Sequence, residues 1–389
     1  MLMFPAWTSR AEVWRFGVFG DIRSEGKNTP GYPVVSTPVV HAFAAALSND
    51  HAVLAIVNGD LITGQTSWSS GMSLPEMFDV YTNAMTPFHD AGIVLYELRG
   101  NHETYHTNGV TPSNAWLQAI GNALPQNGPE GEKGFTYSFA FSNAFFVLLD
   151  QYGGGKSERG SPYPCVNQAW MDAQLGSNTL PHAFVFAHEA AFQMVMTCMS
   201  SHPVSRTACW DSLGTHGVRT LFCGHDHFYC RTLASVSNGP ALRQIVVGAC
   251  TFDLMSWDGV YPEQGSHGVD VQTEAYFGLS DTTGIYRITG DTNVVLTGFS
   301  LDGWLAWTNP MNGRPLTIES TTEPSATQWV ARLQYNGDAS ADRVKVREAA
   351  PEYGYMLVEI NDRQVTMWYK SSSDLVHWET NDMFSYTLP

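Results

Sequence analysis

Residues 14–23, WRFGVFGDIR, decide how this chain is read. Trp14–Gly20 has the length and the apolar, aromatic content of a β-strand, and it ends on a glycine followed by Asp21 and Arg23. Downstream, Thr37–Leu47 sets Val40, Phe43 and Leu47 on one helical face, with Pro38 suited to the first turn. Ala52–Val57 (AVLAIV) is a second, buried strand, Leu74–Ala91 a second helix and Ile93–Leu98 a third strand. This βαβαβ order implies parallel strands joined by right-handed crossovers.

The pattern changes at Phe135. Phe135–Phe141 and Ala144–Leu149, separated by Ser142-Asn143, read as a hairpin, followed by a short helix at Gln168–Leu175. Strands are expected at His182–Ala187, Thr220–Cys223 and Leu242–Gly248, so the sheet must be mixed. Beyond residue 300 the chain is β-rich with turns, as at Tyr355–Ile360 and Val365–Tyr369 around Asn361-Asp362. That tail is expected to be a small accessory unit or the outer strands of a second sheet.

Lys and Arg number 20 against 37 Asp and Glu, a formal net charge of −17, and 15% of the 389 residues are charged where about 25% is usual. The negative field disfavours nucleic acid and anionic membrane as extended partners. No apolar run reaches the roughly 18 residues of a membrane helix, and Met1–Arg10 (MLMFPAWTSR) lacks the basic and long apolar parts of a signal peptide. Low charge density and few lysines point to an exported, secreted or periplasmic, protein. None of the six cysteines (165, 198, 209, 223, 230, 250) forms a C-x-x-C pair, which argues against a zinc knuckle. Cys198 and Cys209 flank a short polar loop and are the expected disulfide, while Cys223 and Cys250 end apolar runs and read as buried thiols.

Five segments place metal-type ligands just past predicted strands: Gly20-Asp21-Ile22-Arg23, Gly59-Asp60, Gly100-Asn101-His102-Glu103, His188-Glu189 and Gly224-His225-Asp226-His227. Strand carboxyl ends form one rim of an open α/β sheet, so segments far apart in sequence can converge there. Two carboxylates (Asp21, Asp60), an amide oxygen (Asn101) and three imidazoles (His188, His225, His227) make an O/N set suited to Mn, Fe, Zn or Co. One open catalytic ion cannot use so many donors, whereas two ions sharing a carboxylate can. Such a pair, about 3.5–4 Å apart, generates hydroxide near neutral pH and clamps the oxygens of an in-line displacement at phosphorus.

In this order the segments resemble the calcineurin-like metallophosphoesterases, which include the purple acid phosphatases. That family's blocks G-D-x-H, G-D-x-x, G-N-H-[DE], a lone His after a strand and G-H-x-H are matched by GDIR, GDLI, GNHE, FAHE and GHDH, over roughly residues 14–250. The resemblance implies a four-layer α/β/β/α sandwich of two mixed sheets over residues 10–300, with 301–389 as a β-rich C-terminal extension or accessory domain. It implies two divalent or trivalent metal ions. Asp21 and His227 would bind the first, Asp60 would bridge, and Asn101, His188 and His225 would bind the second. His102 would stabilise phosphate or protonate the leaving oxygen. The third block's Asn101 and His102, with His106 just beyond, are also substrate-binding candidates.

One position departs from the family. Where the first block has His, this chain has Arg23, whose guanidinium stays protonated and cannot ligate a metal. The Tyr that purple acid phosphatases carry three residues after the bridging Asp is here Thr63. Arg23 is therefore expected to fork onto a substrate phosphate oxygen, with the first ion held weakly.

Plainer explanations exist for single residues. A lone His on an apolar strand is ordinarily a core histidine, and only its place in the series assigns His188 to the ligands. Glu103, Glu189 and Asp226 are expected to orient imidazoles or to be solvated loop charges. Gly153-Gly154-Gly155-Lys156-Ser157 fails as a phosphate loop because no helix follows it. Trp304, Trp307, Trp329, Trp368 and Trp378 are best read as core packing.

The expected function is hydrolysis of a small-molecule phosphomonoester by a metal-activated hydroxide. The alternatives are a phosphodiesterase or nucleotidase, or a non-catalytic surface protein that kept the scaffold. Nothing in the sequence sets the oligomeric state.

Overall fold

The computed structural model describes residues 13–24, 31–105, 110–152, 166–192, 203–237, 240–250, 271–277, 283–287, 293–297, 317–325, 328–334, 343–348 and 353–389. The first part runs β1 (Trp14–Phe19), α1 (Thr37–Asn49), β2 (Ala52–Val57), α2 (Leu74–Ala84), α3 (Thr86–Asp90), β3 (Val94–Glu97) and α4 (Pro112–Ala119). The second runs β4 (Tyr137–Phe141), β5 (Ala144–Leu149), α5 (Gln168–Ser177), β6 (His182–Ala187), α6 (Pro203–Thr215), β7 (Thr220–Cys223), β8 (Tyr229–Ala234) and β9 (Leu242–Val247). The remaining strands are β10 (Val271–Phe277), β11 (Thr283–Arg287), β12 (Asn293–Thr297), β13 (Thr317–Ser325), β14 (Gln328–Gln334), β15 (Arg343–Glu348), β16 (Tyr353–Asn361), β17 (Gln364–Ser372) and β18 (Glu379–Thr387).

Two mixed sheets dominate. The first has the order β18-β17-β16-β1-β2-β3 and the second β15-β11-β10-β8-β9-β7-β6-β5-β4, while β12-β14-β13 form a third, small sheet. As the βαβαβ pattern predicts, β1, β2 and β3 are parallel. In the second sheet β5, β6, β7 and β9 are parallel, and β4 pairs antiparallel with β5 through a hairpin turning at Ser142 (φ 51°).

The sheets pack face to face. Phe16 of β1 meets Phe146 of β5 and Phe184 of β6, each at a ring-centroid distance of 5.2 Å. Strand side chains alternate between faces, so Phe19 turns the other way, onto Phe43 of α1 and Phe88 of α3, both at 5.4 Å. On the far face of the second sheet, Val147, Val185 and Leu221 pack with Met171 and Leu175 of α5 and Trp210 and Leu213 of α6. These are the four layers expected, and burial on both faces explains why β2 and β5 read as nearly unbroken apolar runs.

Several expectations are revised. The helix expected over Leu74–Ala91 is two, α2 opened by the Ser73–Glu76 capping box and α3 restarted with Pro87 in its first turn, where a ring without N–H is tolerated. For residues 353–389 the structure agrees with the expectation of outer strands: β16 pairs antiparallel with β1 (Trp14 opposite Ile360), so β16, β17 and β18 extend the first sheet. Lys370 and Tyr355 anchor them to Asp50, just past α1, at 2.6 and 2.7 Å. Across the sandwich, buried Arg231 of β8 grips Asp382 of β18 through Nε at 2.7 Å and Nη2 at 3.0 Å, and Glu274 of β10 through Nη1 at 2.6 Å. Trp368 and Trp378 pack on the main core; Trp304, Trp307 and the side chain of Trp329 lie outside the described residues. Cys223 and Cys250 are buried free thiols, as expected, but so is Cys209, whose thiol is pushed up to about 12 by burial. Its expected disulfide partner, Cys198, lies outside the described residues, as does the glycine loop 153–157.

Candidate metal centre

The parallel strands of both sheets end on one rim. Asp21 follows β1, Asp60 follows β2, Asn101 and His102 follow β3, His188 follows β6, and His225 and His227 follow β7. Backbone hydrogen bonds lace these turns together: Asp21 N–H donates to Gly59 O at 2.8 Å, Arg23 N–H to Asp60 O at 3.0 Å and Gly224 N–H to His188 O at 2.8 Å. Asp21, Asp60 and His225 all hold left-handed backbone, with φ of 53°, 52° and 73°. Each such residue costs on the order of 1 kcal/mol, and strain of this kind gathers at functional sites. Two glycines that lead blocks make room for the carboxylates: a Cβ on Gly100, before Asn101, would strike Asp60 Oδ1, and one on Gly224, before His225, would strike Asp21 Oδ2.

The ligand-type atoms converge as two sets sharing one carboxylate. Asp60, His188 and His225 offer atoms within 4.8 Å of one another, and so do Asp21, Asp60 and His227. Asn101 joins His188 and His225, its Oδ1 lying 3.2 Å from His188 Nε2, which is also 3.3 Å from Asp60 Oδ1. His188 Nδ1 lies 2.6 Å from the carbonyl of Asn58 and must donate to it, so the neutral ring turns its Nε2 lone pair towards those two oxygens. Burial holds His188 uncharged, with its pKa lowered to about 3. The His188 lone pair thus faces two oxygen acceptors, of which Asp60 Oδ1 also accepts the His102 backbone N–H at 2.9 Å, and a cation is what such an arrangement binds. Asp60 Oδ2 is likewise buried and accepts no hydrogen bond. The residues present fit a metal ion.

His102 sits beside the same carboxylate. Its Nδ1 meets the carbonyl of Thr63 at 2.7 Å, leaving Nε2 directed into the site, 3.7 Å from Asp60 Oδ2. Burial lowers its pKa to about 3, against the pull of Asp60. The Arg23 guanidinium is buried in the other half of the basin, with Nε 3.6 Å from Asp60 Oδ2 and Nη2 3.4 Å from His227 Nε2. Thr63 faces away, its hydroxyl donating to the Pro33 carbonyl at 3.0 Å. His106 lies outside the described residues.

The supporting residues are those the motifs did not explain. Glu103, expected to orient an imidazole or be solvated, is fully buried and accepts backbone N–H groups from Gly100 (2.6 Å), Asp60 (3.0 Å), Leu61 (2.7 Å) and Ile62 (3.1 Å). It ties the Asp60 turn to the Asn101 turn. Burial and the Asp60 charge push its carboxyl up to about 8 against the pull of those donors, and burial also raises Asp21. Glu189 is buried and accepts from the Tyr152 hydroxyl at 2.6 Å, and Asp226 is buried too. Arg99 and Asp150 form a buried two-pronged pair at 2.9 and 2.8 Å that fastens the β3 turn to the end of β5. At the mouth, Trp68, 37% exposed, and Tyr105 place their rings 5.9 and 5.2 Å from that of His102.

With this geometry in hand, comparison with known proteins places the chain. The family profile described as calcineurin-like phosphoesterase matches residues 15–229. The chain belongs to that family. None of the curated proteins matches it. Among solved structures it resembles the purple acid phosphatase PPD1 of yellow lupin (Lupinus luteus) seeds, at 14% identity and a TM-score of 0.53 over 97% of this chain and 54% of that one. The chain thus spans about half the length of the lupin protein. Further similarities are to a dimetal phosphatase from Danio rerio (15% identity, TM-score 0.42, 70% of this chain and 94% of that one) and to GAP50 of Plasmodium (12% identity, TM-score 0.42, 95% and 89%). At these identities the likeness is one of fold. Among the described residues no helix is long and apolar enough to cross a membrane.

Proposed function

We propose that this calcineurin-like chain is a metal-dependent phosphoesterase acting on small phosphomonoesters. The observation that carries the reading is the His188 Nε2 lone pair turned to two further acceptors, Asn101 Oδ1 at 3.2 Å and Asp60 Oδ1 at 3.3 Å. A bound Mn, Fe, Zn or Co ion would supply Lewis acidity and a nucleophilic water at neutral pH. The protein's own groups do the rest. Asp60 and His188 fix the reacting centre, and the Asn58 carbonyl keeps the His188 ring in one orientation. His102, held through Nδ1 by the Thr63 carbonyl, turns the lone pair of Nε2 into the site; a proton taken up there from the nucleophilic water would let Nε2–H hydrogen-bond a phosphoryl oxygen and pass that proton to the departing alkoxide. The Arg23 fork offsets charge that builds on the phosphoryl oxygens.

The alternative substrates are nucleotides and phosphodiesters. The Trp68 and Tyr105 rings beside His102 favour a leaving group with an aromatic face. Turnover of p-nitrophenyl phosphate, bis-p-nitrophenyl phosphate and nucleoside monophosphates, with and without chelator, tests both readings. We expect chelator-sensitive hydrolysis of the monoesters, lost in Asp60→Asn; chelator-insensitive turnover, or none with any of the metals, would defeat the proposal.

A further inference from the structure

Arg23 lies on the first set of ligand atoms, not merely near it. Its Nη2 is 3.4 Å from His227 Nε2 and its Nε is 3.6 Å from Asp60 Oδ2, two of the three donors that an ion in the Asp21–Asp60–His227 set would need. A guanidinium only donates, so the nitrogen of His227 facing it must be the acceptor, and the lone pair that would ligate an ion is already turned to Nη2. The guanidinium is held where it lies. Its Nη1 donates to the Ser24 carbonyl at 3.4 Å and its side chain is 7% exposed, while the backbone beneath is fixed by Arg23 N–H donating to Asp60 O at 3.0 Å and the Ser36 hydroxyl donating to Arg23 O at 3.1 Å.

A doubly charged ion there would bond its donors at about 2.0–2.2 Å, against a fixed positive charge reaching the same donors. The second set carries no such obstacle, its cation-facing atoms being acceptors. We infer that the Arg23 guanidinium replaces the first metal ion, so that the chain holds a single ion, on Asp60, Asn101, His188 and His225, with Asp60 spanning that ion through Oδ1 and Arg23 through Oδ2. The inference rests on the cation site of the proposed function. It makes the guanidinium's share of the positive charge in the basin permanent and independent of metal supply.

The test counts ions instead of turnovers. The purified full chain is saturated with Mn²⁺, freed of excess by gel filtration, analysed for manganese and examined by electron paramagnetic resonance. The expected result is one manganese per chain with the uncoupled hyperfine pattern of an isolated ion. Arg23→His should raise the count to two and give the exchange-coupled spectrum of ions about 3.5–4 Å apart. Two coupled ions in the unaltered chain would overturn the inference while leaving the metal-site reading intact; no bound manganese would remove both. Should Arg23→His fail to fold, the count and spectrum of the unaltered chain decide alone.

Discussion

On one side of Asp60 stand Asn101, His188 and His225; on the other stand Asp21 and His227 with the Arg23 guanidinium among them. Both sides are buried, both hang from strand ends and both use the same carboxylate. They differ in which partner meets the lone pairs. In the His188 half a ring nitrogen and two oxygens confront each other and require a cation from outside. In the His227 half the chain brings its own. Similar residue types at similar places on the rim therefore do not make equivalent sites, and one substitution in the first block is enough to separate them.

The sharpest probe of that asymmetry exchanges one histidine from each half for alanine. His188→Ala should weaken manganese binding by more than about 100-fold, beyond the 10–100-fold typical of outer partners, and abolish turnover. His227→Ala should leave the manganese count unchanged, because its ring faces Arg23. Equal metal loss in both variants, measured by equilibrium titration, would break the contrast. A smaller effect is expected at the joint between the halves. Glu103→Gln keeps the shape but sets an amide NH2 against backbone N–H groups that point at both carboxyl oxygens, and should cost about 10–100-fold in metal affinity without changing stoichiometry. Smallest is Trp68→Ala at the mouth. It should raise KM for aryl phosphates by about 2–10-fold, in line with the 0.5–1.5 kcal/mol of an aromatic contact, and leave alkyl phosphates unchanged. Equal change for both substrate types would remove the aromatic rim from substrate recognition.

The ligands themselves were legible because each sits in a short, glycine-led block after an apolar run, where strand-end geometry concentrates chemistry. What orients them was not. His188 and His102 are held by the carbonyls of Asn58 and Thr63, and a main-chain oxygen carries no residue signature. Glu103 was visible as an acid in a motif, but its partners are main-chain donors as well. The Arg99–Asp150 clamp joins residues that no periodicity relates. Helix α6 is hard to read because its apolar spacing is weak, α4 because it is only 8 residues long, and β8 because it begins just after the His225–His227 block. The place of β16 beside β1 depends on pairing across most of the chain, which local pattern cannot specify.

That pairing sets a timetable for synthesis. On the ribosome β2 follows β1 closely and can take one of its edges, while the other stays bare until β16 emerges, after all the strands of the second sheet. A strand edge left open for so long invites intermolecular pairing. Nascent chains halted before Tyr353 should therefore depend on chaperones far more than chains that include β16, β17 and β18.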